Sequence, residues 1–206
     1  MTKDKFAELR KKDYPLFSIP KPYSFDLNED MIDILRKEFA VEDIASKFMA
    51  LIKGKTTPEI ENIGKEIFES YGQKLIKRTL QLGDEYPDRT IEVIMEAVDR
   101  SGKQFLIWPH AAQRYIEIAY LSTQNILKLP IVLNNQYELA YKVPQCLLFR
   151  TIKEKNNSDV ANIMTCKHAC LKILDTAIHY LGMAAIISMT KSNAVDGYCE
   201  FSARKI

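Results

Sequence analysis

Cysteines are the residues of this chain best suited to chemistry, and all four fall between positions 146 and 199. Cys166 and Cys170 frame the run Cys-Lys-His-Ala-Cys on a strongly helical segment. Residues four apart on a helix share a face one turn apart, so both sulfurs point the same way. Such a pair suits a soft metal, with Cys146, Cys199 or His168 completing the site. His168 lies two residues from each cysteine, which turns it well round the helix from their shared face. The same thiols suit a second chemistry. A thiolate attacks an electrophilic carbon when a helix N-terminus or a nearby cation lowers its pKa. Cys146 stands in the apolar run Val143-Pro-Gln-Cys-Leu-Leu-Phe149, with Arg150 four residues on. In a strand those two side chains share a face, which brings a guanidinium beside the thiol. Packing competes with both readings, because cysteine is among the most often buried residues.

Other candidates surround this set. His110 follows Trp108-Pro109 at the end of an expected strand, where loop residues often line pockets. Arg114 and Glu117 carry the charges to hold a carboxylate or an amino group. His179 follows Asp175 by one helical turn, the spacing of a general base and its orienter, and equally of an ordinary surface pair. The residues assigned to catalysis are Cys146, Cys166 and His168. Those assigned to ligand binding are Trp108, His110, Arg114, Arg150, Cys170 and Cys199. No metal ligand set is assigned, because the cysteine spacing is not that of a standard zinc-finger pair, and the cofactor is left open.

Composition narrows the class. The 206 residues are 47% hydrophobic and 27% charged, enough to build one sizeable packed domain. The net charge is +2, with Lys and Arg interleaved among Asp and Glu. A nucleic-acid face needs a basic stripe, and the single concentration, Arg10-Lys11-Lys12, reads as part of a solvated tail, so no nucleic-acid partner is expected. No apolar run is long enough to span a membrane, and the N-terminus lacks the pattern of a signal peptide. A cytoplasmic location follows as an expectation. In a reducing compartment the cysteines are free thiols, ligands or a nucleophile rather than structural disulfides. Seven glycines are scattered singly, so neither a Rossmann nor a P-loop phosphate cradle is present.

The elements that must position these residues can be read in outline. Residues 1–28 carry Pro15, Pro20 and Pro22 and read as an extended arm laid against the body or a second copy of the chain, which suggests a homodimer. Residues 29–206 read as one α+β domain. Its helical half, 29–102, has Asn28 or Asp30 as a cap, a helix opening at Thr56-Thr57-Pro58 and ending near Gly83, and another from Asp88 to Ser101. The second half, 103–206, carries a mainly antiparallel sheet with one long packed helix. Gln104–Trp108, Leu129–Leu133 and Tyr137–Ile152 read as strands, and Ala112–Leu121 as strand or helix. Asn156 to Asp159 is a polar break, followed by a long helix from Val160 to Leu181. Ala184–Thr190 and Tyr198–Arg204 form a closing antiparallel hairpin.

The order of features in the C-terminal third resembles a known family. A cysteine ending an apolar segment, a polar break, a helix bearing a second cysteine and a terminal Gly-x-Cys-x-Phe strand are similar to the L-2-amino-thiazoline-4-carboxylic acid hydrolase-like proteins. The matching pieces here are Cys146, then Cys166 or Cys170, then Gly197-Tyr-Cys199-Glu-Phe201. The resemblance implies hydrolytic opening of a C–N bond in a cyclic amidine or thiazoline carboxylate, with a cysteine or a bound water attacking the ring carbon. It also implies a small, anionic ligand held between the helical half and the sheet. The same ending is similar to that of the 4-vinyl reductase-like small-molecule-binding domains, which carry or sense ligands. Hydrolase, ligand-binding module and cysteine-ligated metal site therefore stay open as expectations.

Overall fold

The computed structural model describes residues 29–85, 89–102, 108–155 and 158–206. The arm expected over 1–28, residues 104–107 of the first expected strand, and Asn156 and Asn157 lie outside them. Helical spacing of apolar residues builds the first half. Met31 and Leu35, four apart and fully buried, fasten α1 (Glu29–Glu38). Val41, Ala45 and Phe48 do the same for α2 (Val41–Leu51). The long α3 (Thr57–Glu85) has 29 residues, about 43 Å at 1.5 Å per residue. Its start is a capping box: the Thr56 amide and hydroxyl both donate to the Glu59 carboxylate, at 2.9 and 2.8 Å. Those bonds, the backbone one foremost, hold the Glu59 carboxyl down to about 2. The helix runs to Glu85 rather than ending near Gly83. Next come α4 (Arg89–Ser101) and α5 (His110–Thr123), the latter buried along most of its length. The ambiguous segment 112–121 is thus helix, and Trp108 sits in the turn before it.

The sheet has four strands, all pairings antiparallel, in the order β1-β2-β4-β3. They are β1 (Ile131–Asn134), β2 (Glu138–Val143), β3 (Ala185–Lys191) and β4 (Cys199–Lys205). Leu139, Tyr141 and Val143 of β2 and Phe201 and Ala203 of β4 take alternate positions on the core face, and the small Ala140 and Ser202 between them are buried as well. Tyr141 pairs with Phe201 and Val143 with Cys199. The turn between β3 and β4 contains a short α9 (Asn193–Asp196). One hydrophobic cluster from Met31 to Ala203 joins both halves, which makes the architecture α+β with a helical N-terminal half. No described helix is long and apolar enough to cross a membrane.

Two expected elements differ. The strand expected over 137–152 ends at Val143, because Pro144 supplies no amide to extend the ladder; the chain turns and becomes α6 (Leu147–Lys155). The long helix expected over 160–181 is two, α7 (Ser158–Ile163) and α8 (Lys167–Tyr180). The break falls at Thr165, whose φ of 52° is left-handed, a conformation costly for a β-branched residue. Its hydroxyl donates to the Glu61 carbonyl of α3 at 3.0 Å.

Two glycines of α3 make that junction fit. A Cβ at Gly64 would stand 2.3 Å from the Met164 carbonyl oxygen, and one at Gly72 would stand 2.2 Å from that of Ala169. Both obstacles are backbone, so neither can swing aside. Replacing Gly72 by alanine must push α8 away from α3, and is expected to destabilise the protein by about 1–3 kcal/mol despite alanine's better helix propensity. Urea unfolding of Gly72→Ala checks this, and equal or greater stability would contradict the close packing.

Candidate functional site

All four thiols reach one cleft between α3, α5, α8 and the sheet, lined also by Tyr71, Tyr120, Lys167 and Phe201. Each is a free thiol. The early strand end and the helix break that sequence patterning missed put two of them at helix starts. Cys146 is the N-cap of α6: its carbonyl accepts the first helical bond from Arg150 at 3.0 Å, and its Sγ accepts the Phe149 amide at 3.5 Å. Cys166 is the N-cap of α8. Cys170 follows one turn into α8, and Cys199 opens β4 beside Val143.

These positions give the thiols different acidities. Cys146 is held below the usual thiol range, first by a hydrogen bond from the Cys166 thiol, then by the Phe149 and Leu148 amides, against the effect of burial. Cys166, which gives that bond, is pushed up by it and by burial. Burial, then the charge on Cys146, pushes Cys170 up. The same causes raise Cys199 to about 11. The Tyr120 hydroxyl bonds to Cys170 and lies 3.3 Å from that of Tyr141. Burial above all raises both tyrosines, as it does Tyr71, whose hydroxyl donates to the Phe39 carbonyl at 2.9 Å. The cleft therefore favours one thiolate, Cys146, surrounded by neutral acids.

The free space at the sulfurs is only about 30 Å³. Against it lies a half-open cavity of about 360 Å³, and the two share Val41, Thr123 and Gln124 as walls. Arg36, Glu42 and Leu147 line the larger one. Ala40, at the start of α2, gives that helix no side-chain cap, and Ala40, Val41 and Glu42 line the same region. Gln124 is fixed by the Leu147 amide, which donates to Oε1 at 2.7 Å. This leaves the Gln124 amide group on the boundary between the two spaces.

The other sequence-assigned residues lie elsewhere. His168, in the first turn of α8, does not line the cleft; partial burial, then Lys167, lowers its pKa. Arg150 is on the helix α6, not on a strand with Cys146, and meets Glu154 at 3.7 Å on the surface. Arg114 is buried and pairs with Glu117 at 3.2 Å. Trp108 is buried outside the cleft, and His110 is exposed at the start of α5. The His179–Asp175 pair is superficial. Among the described residues, no three His, Cys, Asp or Glu side chains are placed to hold a metal ion. Sequence reasoning missed Gln124, Arg36 and the tyrosines, which carry no motif and are brought in only by helix packing.

Compared with known protein families, curated proteins and solved structures, the chain matches none.

Two solution measurements follow from these acidities. Iodoacetamide should label Cys146 first, with a rate that rises to its plateau at a pH below the ordinary thiol value of about 8.5. Labelling that starts at Cys170 or Cys199 would contradict the assignment. The raised thiols act on stability with the opposite sign. Each is protonated when folded over a range where the unfolded chain has lost its proton, so its contribution is complete below about pH 8.5 and is lost as pH rises, by up to about 1.4 kcal/mol per pH unit per thiol. For Cys199 the loss ends at about 11, and Cys199→Ala should flatten the alkaline limb of the denaturation profile up to there.

Proposed function

We propose that the chain is a small-molecule hydrolase-like protein in which the Cys146 thiolate attacks the electrophilic carbon of a cyclic amidine or thiazoline carboxylate, opening a C–N bond. The observation that carries this reading is the single depressed thiol at the start of α6, which lines a tight cleft with the Cys166 thiol and is divided from a half-open cavity by Val41, Thr123 and Gln124. A zwitterionic ligand suits that cavity. Arg36 and the uncapped amides of α2 attract its carboxylate, and Glu42 attracts its amidinium.

The steps balance with these groups. Cys146 Sγ adds to the C=N carbon as the nitrogen takes the Cys166 proton, and Gln124 donates a hydrogen bond to the charge that develops. The ring nitrogen already carries the amidinium proton, so with the second proton it leaves as an amine when its bond to carbon breaks, and the other amidine nitrogen forms a C=N bond to the carbon now held on sulfur. Water then adds to that carbon, gives one proton to Cys166 and one to the released amine, and expels Cys146 as thiolate. The free volume at the sulfurs takes little more than the reacting atom, so the ring itself must sit in the larger space beyond Gln124.

The same pocket supports a second reading, a ligand-binding module without turnover, because the space around the sulfurs is so tight. Turnover of 2-amino-thiazoline carboxylate by the wild type, abolished in Cys146→Ser, separates the two. Arg36→Gln should raise KM about tenfold and leave kcat nearly unchanged if Arg36 holds the carboxylate in both ground and transition states. Saturable binding without turnover selects the ligand-binding module, and unaltered turnover in Cys146→Ser removes the nucleophile.

A further inference from the structure

Cys146 and Cys166 line the same tight cleft, one at the start of α6 and the other at the start of α8, and their thiols are joined by a hydrogen bond. In the carbon chemistry the second of these thiols serves only to give and take a proton. A second thiol hydrogen-bonded to a thiolate is the arrangement of an attacking and a resolving cysteine. The pair is separated by 19 residues of chain that form α6, α7 and the Thr165 turn, and each partner is fixed at the first turn of a helix. The space above them is about 30 Å³, enough to admit a water-sized group. The terminal oxygen of a small peroxide fits this space.

We propose that Cys146 and Cys166 form a dithiol site that reduces small hydroperoxides, closing to a Cys146–Cys166 disulfide. The Cys146 thiolate attacks the terminal peroxide oxygen, the O–O bond breaks, and the departing alkoxide or hydroxide takes the proton of Cys166. Cys146 is then a sulfenic acid and Cys166 a thiolate. Cys166 attacks the Cys146 sulfur and expels hydroxide, which leaves as water after gaining a proton from solvent. Two thiols are oxidised by two electrons, and one peroxide becomes an alcohol or water plus a second water. An external thiol reductant restores the pair. This uses the thiolate invoked for carbon chemistry, but with a different partner and different products.

The test takes the full chain, reduced and freed of reductant, with equimolar hydrogen peroxide. The expected product has lost two hydrogens by mass, and digestion without reduction yields the Cys146 and Cys166 peptides joined. In Cys166→Ser the reaction should stop at a sulfenic acid on Cys146, captured by a 1,3-dione probe, and Cys146→Ser should react at least about tenfold more slowly than wild type. A disulfide between any other two cysteines overturns the proposal. So does sulfenic acid that persists in the wild type as it does in Cys166→Ser. Wild-type protein that labels rapidly with iodoacetamide at Cys146 but resists peroxide removes this reaction and leaves the carbon chemistry standing. Protein inert to both reagents removes both.

Discussion

The contact on which the rest depends is backbone against backbone, where α3 lies on the junction of α7 and α8. Gly64 and Gly72 leave room for the carbonyls of Met164 and Ala169. This is part of the most extensive helix–helix contact among the described elements. Once α8 is held so close, the chain between Ile163 and Lys167 has little freedom, and Thr165 takes up a left-handed conformation worth about 1–2 kcal/mol of strain in an L-residue. Its bond to Glu61 offsets part of that cost. The consequence is local and chemical. The helix restarts at Lys167, which places Cys166 at its mouth rather than in its middle.

The electrostatics of the cleft then follow from burial and backbone donors rather than from charged side chains. Several thiols share a poorly hydrated space, and like charges there repel strongly, so ionisation of one suppresses that of the others. Which one ionises is decided by amides. Cys146 has the Phe149 and Leu148 N–H groups and the Cys166 thiol, while Cys170 has mainly a tyrosine hydroxyl. The guanidinium that the strand reading placed beside Cys146 is turned to Glu154 at the surface. Fixed donors of this kind need no reorganisation when charge appears, which is the physical advantage of a helix terminus over a flexible cation.

Much of the scaffold was legible in sequence because it rests on periodicity. The stripe Ile60, Phe68, Leu75 and Leu82 declares α3, and the Thr56 and Glu59 pair declares its start. The closing hairpin is equally plain from its alternation. The site was legible only in its residue types. An apolar run such as Pro144 to Phe149 does not separate strand from helix, and cysteine is not a residue that signals an N-cap. The break at Thr165 is imposed by α3, a hundred residues earlier in the chain, and leaves no local mark. Gln124 and Arg36 are ordinary polar residues whose relevance comes from where α5 and α1 end up. His168, singled out by its position between two cysteines, was turned away by helical geometry that the sequence itself already implied.

The strand order has a consequence for how the protein is made. β4 is synthesised after β2 and β3, yet it lies between them. Until it arrives, β2 and β3 each present an unpaired edge to any other nascent chain. Cys146, Cys166 and Cys170 are all synthesised before the strand that carries Cys199 and Phe201 closes over them. The thiols therefore meet the cell as open groups first and acquire their separate acidities only when synthesis has passed β4.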